Sequence, residues 1–449
     1  MQSTSREHWG SSAGFVLAAL ASAVGLGNVW RFSYVTGENG GGAFLLVYLA
    51  TVLLVGLPLL IAEFAAGRST QLENAAALRL LAPARPWRHL GLLGVLIAIL
   101  VLAYYAVIAG WVFKYLSVYL LKSSHELAVP DFSAAYLRHL AAPVEPLLWQ
   151  GAGLAISVAV LVRGVQKGIE RTSLILMPLL AVLLVVLAVS NARLPGYREA
   201  LDFLFQPDWE VLKHPSVYLA ALGQALFSIG LGMGVMVTYG SYLGPRRSLP
   251  RAALLVVSGD TLFALTAGLV IFPAVFTFGL DPTQGPGLAF VVLPQVFDLM
   301  SGGAVFGTVF FALLSIAALT SMMSLLEVSM AYATEKFRCT RMQAGLVLGT
   351  LVFLLGMPAS LGFGWWSGIR LFGGLGLMDL MDLVTVDLLL PLNALLLSIF
   401  FGWVWPREAA VTASGLSHGV LGRTWHACLR YVTTFLCVVI LASSLPNGA

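Results

Sequence analysis

Long apolar runs separated by short polar breaks set the pattern of the chain. Eleven runs stand out, at 11–35, 40–67, 87–121, 148–163, 171–191, 215–243, 250–279, 300–335, 342–359, 371–405 and 425–445. A helix crossing the roughly 30 Å hydrocarbon layer needs about 20 residues, so each run reads as one membrane span, numbered 1–11 here. Two spans are interrupted. Span 1 contains Ser22-Ala23-Val24-Gly25-Leu26-Gly27-Asn28, and span 6 contains Phe227-Ser228-Ile229-Gly230-Leu231-Gly232-Met233-Gly234. Glycines in membrane helices also serve as packing notches. Here they sit beside polar side chains at matching places, and a freed backbone is tolerated at membrane depth only where it is buried in protein or lines a cavity. The pattern predicts an all-α integral membrane protein built as a 5+5 inverted repeat with broken helices 1 and 6 and one extra helix. Residues 1–192 form the first half, 193–405 the second, and 406–449 a peripheral eleventh helix. Five spans per half force the second half to be inverted, and paired interruptions point to a binding site near the midplane.

Composition agrees with this picture: 59% of residues are hydrophobic and 10% charged, with a mean hydropathy of +0.90. The net charge of +4 does not imply a nucleic-acid partner, because the basic residues sit in short loops and form no single patch. With the N-terminus inside, 17 of the 25 Lys and Arg residues fall on the cytoplasmic side, which predicts a cytoplasmic N-terminus and, after eleven spans, an outside C-terminus. The longest polar stretch, near 121–146, is too short for a soluble domain. Cys339, Cys428 and Cys437 lack metal spacing and read as small apolar side chains. No phosphate loop or catalytic His/Cys spacing is present, so no enzyme is expected. The short loops and tails point to a prokaryotic inner (cell) membrane, crossed many times. Nothing in the sequence specifies an oligomeric state. The carboxylates Glu63, Asp260 and Glu327 lie within spans. Such groups are functional by default, and Glu63 and Glu327 read as buried hydrogen-bond hubs.

Several motifs resemble those of the neurotransmitter:sodium symporter family. They are Arg6-Glu7-His8-Trp9, Ala23-Val24-Gly25-Leu26-Gly27-Asn28-Val29-Trp30-Arg31-Phe32 and Gly37-Glu38-Asn39-Gly40-Gly41-Gly42-Ala43-Phe44. The similarity continues through Lys167-Gly168-Ile169-Glu170-Arg171, residues 224–242 and Ala317-Ala318-Leu319-Thr320-Ser321, and so covers nearly the whole chain. The eleven spans and the Gly-Leu-Gly-Met-Gly of span 6 resemble most the bacterial multi-hydrophobic amino acid transporters.

The resemblance implies a substrate carboxylate held by the backbone amides of Gly25, Leu26 and Gly27, with Ala23 and Ser228 at its edge. Amides at a helix break carry positive dipole character suited to an anion. Relatives that carry amines have an aspartate at the position of Gly25, so glycine implies a substrate bringing its own carboxylate. Tyr105 matches a tyrosine whose hydroxyl binds that carboxylate, although a membrane tyrosine also serves as a packing residue or interface anchor. Val101, Phe227, Gly230, Met233, Ser321 and Leu325 would line the side-chain pocket. Apart from the Ser321 hydroxyl this lining is apolar, and an unpaired polar group costs about 1–3 kcal/mol. Branched and aromatic hydrophobic L-amino acids are therefore the expected substrates.

Sodium is the implied co-substrate, with two ions. The first would use the Ala23 carbonyl, the side chains of Asn28, Ser228 and Asp260, and the substrate carboxylate. The second would use the carbonyls of Ala21, Val24 and Ala317 with the hydroxyls of Thr320 and Ser321, although such hydroxyls commonly bond back to their own helix. Asp260 departs from the family's usual asparagine. Chloride-dependent relatives bind their anion with residues matching Tyr48, Gln224 and Ser228 plus a serine, where this chain has Ala264. The expectation is that Asp260 supplies the compensating charge and that chloride is not required. Arg31 and Asp382 would form the outer gate; Arg6 with Glu335, and Trp9 against Tyr242, would form the inner one. Gly168 and Pro178 in span 5 would permit unwinding, and a plain proline kink accounts for them equally. The resulting expectation is a sodium-coupled importer of hydrophobic L-amino acids working by alternating access. The alternative is a transporter-like sensor that binds without net flux.

Overall fold

Each apolar run becomes helix, since only internal hydrogen bonding satisfies a backbone placed in lipid. The computed structural model describes residues 7–82, 86–121, 132–244, 247–280, 288–300 and 302–444. Among them, eight helices are long and apolar enough to cross a membrane: Gly42–Thr70, Pro86–Leu120, Val165–Asn191, Leu249–Thr277, Gly303–Phe337, Arg341–Leu361, Leu377–Val404 and Val420–Ala442. Span 1 is a pair, Ser12–Ala23 and Gly27–Glu38, bent by 49°. Span 4 is Glu145–Leu161, set at 75° to Phe132–Ala141, a helix within the expected polar stretch. Span 6 is split into Pro215–Ile229 and Val235–Ser241. By length and composition alone eight to ten spans are counted among the described residues, and the split span 6 is left out of that count because its break shortens the pieces, which is consistent with eleven. Span 5 begins at Val165, six residues earlier than expected, because the polar residues 165–170 wind as a π-helical turn.

Two helices form the centre. Within the most apolar windows, 72% of Pro86–Leu120 and 78% of Gly303–Phe337 is buried, against 33% of Val420–Ala442. Spans 3 and 8 are thus scaffold, and span 11 is peripheral. Both breaks lie against this scaffold. At the first, Val24 leaves helical geometry at ψ 99° and the chain resumes as a π turn over Gly27–Arg31. At the second, Gly230, Gly232 and Gly234 all take left-handed φ, at 77°, 76° and 75°. Residues with a Cβ rarely adopt that conformation, which accounts for the alternating glycines. The amides of Gly230 and Leu231 both return to the Leu226 carbonyl, at 3.1 and 3.0 Å, closing the helix end.

Long-range side chains hold the broken backbone. The Gly232 amide donates to Glu63 Oε1 at 2.8 Å, and its carbonyl accepts from Asn393 Nδ2. Glu170, at the start of span 5, accepts from the Gly10 amide at 2.7 Å and from the Ser11 amide at 3.0 Å. That carboxylate fixes the entry to span 1, and a Cβ on Gly14 would lie 1.9 Å from it.

Candidate functional site

The breaks face one another across a small cavity of about 30 Å3 between spans 1, 3, 6 and 8. Ten of the twelve expected substrate positions line it: Ala23, Gly25, Gly27, Val101, Tyr105, Phe227, Gly230, Met233, Ser321 and Leu325. Leu26 and Ser228 are not in the lining. Leu26 directs its amide to the Tyr105 hydroxyl at 3.1 Å, and Ser228 faces span 7. Ser22 and Val235 also line the cavity; both sit inside the broken motifs, where sequence does not tell which residues turn inward.

Gly25 is confined on two sides. A Cβ there would lie 2.3 Å from Ser321 Oγ and 3.1 Å from the Tyr105 hydroxyl. Its amide donates to Asn28 Oδ1 at 3.0 Å. A larger residue would displace both hydroxyls, so glycine leaves a polar notch bounded by backbone amide, phenol and serine. The rest of the lining is apolar, and such a cavity suits a molecule with one charged end and a hydrophobic body.

Beside the notch is a fully buried polar cluster. Asn28 Nδ2 donates to Asp260 Oδ1 at 2.6 Å and to Ser228 Oγ at 3.0 Å. Ser228 Oγ lies 3.0 and 2.9 Å from the two Asp260 carboxylate oxygens, and the Tyr48 hydroxyl reaches Oδ2 at 3.5 Å. Asp260 is 0% exposed, and a carboxylate so far from water requires compensating charge. Among the described residues no arginine, lysine or histidine forms a hydrogen bond or ion pair with it. Asn28, Ser228 and Asp260 are thus brought together from spans 1, 6 and 7, with Ala23 on the adjoining cavity wall. Gln224 turns away from this cluster: its amide donates to the Gly27 carbonyl at 2.8 Å and its oxygen accepts from Arg31 at 3.0 Å. Ala264 is buried without a polar group.

A second set of oxygens lies where span 1 meets span 8. Thr320 Oγ1 donates back to the carbonyls of Ile316 at 3.1 Å and Ala317 at 3.0 Å. Ser321 Oγ crosses to the Ser22 carbonyl at 3.4 Å. Ala21 and Val24 flank that carbonyl on span 1, at 1% and 0% exposure. These are hard oxygen donors. Among the described residues no group of three or more His, Cys, Asp or Glu side chains could hold a metal.

At the expected outer gate Arg31 makes a direct ion pair with Asp387, at 4.0 Å, and Asp382, the expected partner, also acts on it electrostatically. The π-helical segment Leu383–Leu389 adjoins Asp382, and its wider turn brings residues five apart, here 382 and 387, onto one face. An ordinary 3.6-residue period gives no hint of that. Arg31 also lies 5.5 Å from the Phe227 ring centre. On the inner side, Trp9 Nε1 donates to the Tyr239 carbonyl at 3.0 Å and its amide to the Tyr242 carbonyl at 3.1 Å. Its indole meets the Tyr242 ring edge-on. Arg6 lies outside the described residues, and Glu335 Oε2 accepts from the Glu73 amide at 3.5 Å. Glu327 is a hub: it accepts from the Tyr242 hydroxyl at 2.7 Å and is clamped by both terminal nitrogens of Arg341.

Comparison with known proteins adds an independent line. A sequence profile described as the sodium:neurotransmitter symporter family matches residues 6–128 and 147–448. An uncharacterized sodium-dependent transporter, YhdH, of Bacillus subtilis is 38% identical over 435 residues, covering 96% of each chain. The Drosophila melanogaster sodium-dependent serotonin transporter is 30% identical over 402 residues, 79% of this chain and 64% of that one. Among solved structures, MhsT in complex with L-phenylalanine superposes with a TM-score of 0.93 at 46% identity, over 98% of this chain and 100% of that one.

Proposed function

We propose, from the premise that this chain belongs to the sodium:neurotransmitter symporter family, that it imports hydrophobic L-amino acids, branched and aromatic, coupled to sodium. The observation that carries the substrate class is the notch at Gly25, polar at one end and opening onto an apolar cavity. The amides of Gly25, Leu26 and Gly27 and the Tyr105 hydroxyl receive the carboxylate; Val101, Phe227, Met233 and Leu325 receive the side chain. The phenylalanine bound to MhsT, 46% identical to this chain, supports the same class of ligand.

Two sodium ions travel with the substrate. The first takes Asn28, Ser228, Asp260 and the Ala23 carbonyl together with the substrate carboxylate, so each ligand completes the other's site and strengthens its binding. The second takes the Thr320 and Ser321 hydroxyls with the carbonyls of Ala21, Val24 and Ala317. Asp260 carries the compensating charge that relatives draw from chloride, so chloride is not required. This is supported by the turn of Gln224 toward Arg31 and by the bare side chain of Ala264. Residues 1–192 and 193–405 act as inverted halves that rock about the two breaks. Arg31 with Asp387 and Asp382 gates the outer side, and Trp9, Tyr242, Arg6 and Glu335 gate the inner side. The chain lies in the inner membrane with a cytoplasmic N-terminus.

The test is uptake of radiolabelled leucine, phenylalanine and tryptophan into proteoliposomes under an inward sodium or potassium gradient. Concentrative uptake with sodium alone supports the symporter. Sodium-dependent binding without accumulation would replace it with a sensor.

A further inference from the structure

The connection between the last two spans carries cations that transport does not use. Helix Arg407–Ser414 follows the tenth span, and helix Val420–Ala427 opens the eleventh. Between them lies a cavity of about 470 Å3 lined by Pro406, Arg407, Glu408, Val411, His418 and Arg423. Three arginines on this side are engaged. Arg68 donates to the carbonyls of Arg247 and Ala413, each at 2.5 Å. Arg341 clamps Glu327, and Arg430 stacks 4.0 Å from the Trp403 ring centre. Arg407 and Arg423 differ: both are exposed, and among the described residues neither guanidinium has an ion-pair or hydrogen-bond partner. The pocket holds one carboxylate, Glu408, while His418 Nε2 lies 3.1 Å from Thr412 Oγ1. Its net charge is therefore positive.

The rim tells what kind of anion fits. Val420 and Leu421, at 79% and 68% exposure, stand just before Arg423. They begin the wall of the peripheral eleventh span, which continues outward through exposed Tyr431 and Phe435. On the same two spans, exposed Trp403 and Tyr431 meet edge-on, and such aromatics mark the polar boundary of a bilayer. A soluble anion would gain nothing from that apolar wall. A basic pocket at the membrane boundary beside exposed aliphatic side chains matches an amphiphile with a negative head. We propose that this pocket binds an anionic phospholipid, its phosphate between the Arg407 and Arg423 guanidiniums and its acyl chains against Val420, Leu421 and the outer face of span 11. The planar fork of arginine suits phosphate oxygens in pairs.

The experiment is native mass spectrometry of the delipidated full-length protein titrated with phosphatidylglycerol or phosphatidylcholine. Phosphatidylglycerol should bind the more tightly. An arginine near a bilayer surface contributes enough that the double change Arg407→Gln, Arg423→Gln should weaken that binding roughly twenty-fold. Glu408→Gln removes the one opposing charge and should tighten it several-fold. This second variant leaves the arginines in place, so it decides the matter if the double variant fails to fold. Equal binding of the two lipids, or phosphatidylglycerol binding unmoved by either variant, would overturn the proposal. Displacement by glycerol phosphate at the same concentration as the lipid would overturn it in favour of a soluble phosphate.

Discussion

Replacing Asp260 by asparagine isolates the electrostatic part of the polar cluster, because the two side chains have the same shape. The carboxylate is 0% exposed and its contacts are Asn28, Ser228 and Tyr48. In the variant the amide oxygen can still accept from Asn28. The new amide group can donate to the hydroxyls of Ser228 or Tyr48, which rotate to accept. Hydrogen bonding is preserved, so the change removes a unit charge and little else. At 4 Å and an effective permittivity near 20, a unit charge pair is worth about 4 kcal/mol. An amide oxygen dipole restores part of that, leaving a loss of about 2 kcal/mol and a roughly thirty-fold weaker sodium affinity. Thermal stability in potassium should hold or rise, since a buried charge without a counter-ion is removed. The assay is sodium titration of purified protein by radioactive sodium binding, paired with thermal unfolding in potassium. An unchanged half-saturation for sodium in a folded Asp260→Asn variant would refute the assignment of this carboxylate to the ion.

Four further outcomes follow from the same geometry. Gly25→Ala should weaken substrate binding at least about fivefold, because its Cβ would fall 2.3 Å from Ser321 Oγ, an overpacking worth about 1–3 kcal/mol; an unaltered Kd for phenylalanine would sink the notch. Tyr105→Phe removes the hydroxyl that meets the Leu26 amide and should cost about 1–3 kcal/mol of amino-acid affinity in equilibrium binding; full affinity in that variant would dismiss the phenol as a carboxylate anchor. Arg341→Ala leaves Glu327, 0% exposed, as an uncompensated charge, so the protein should lose about 3–5 kcal/mol of stability, seen as a lower Tm and largely restored when Glu327 is also made apolar. Exchange of chloride for gluconate should leave sodium-driven uptake unchanged; a fall to background would show that Asp260 does not replace the anion.

Sequence made the breaks visible because glycine inside an apolar run is a local signal. It did not show what mends them. Glu63 and Asn393 lie far from Gly232 in the chain, and only folding brings them to its amide and carbonyl. Glu63 was legible as a hub through the rarity of a buried carboxylate, whereas Asn393 carried no such mark. Glu170 stood within a recognisable motif, yet its hold on Gly10 and Ser11 depends on where span 5 docks. Asp387 was hidden by periodicity, since only a π turn brings it onto the same face as Asp382. Gly230 had two reasons and sequence offered one: pocket space was foreseen, and its left-handed φ of 77° was not.

The partners of the two breaks separate their roles. At Gly232 both polar groups are tied to side chains that take no part in the cavity, so the middle of span 6 is fixed whether or not a ligand is bound. At the first break three ties run to expected site residues. The Gly25 amide goes to Asn28, the Leu26 amide to Tyr105, and the Ser22 carbonyl to Ser321. A carboxylate arriving at those amides competes with Asn28 and Tyr105, and a cation arriving at Asn28 or Ser321 competes for the oxygens that hold span 1 in place. Ligands bound as proposed would therefore exchange their own contacts for those that restrain span 1, whereas the ties at Gly232 would stay as they are. On the proposed sites, the element whose equilibrium substrate and sodium would both bias is the half-helix Ser12–Ala23. It is also the piece that Trp9 and Glu170 fasten at the inner end, so opening on that side requires release of these two contacts together.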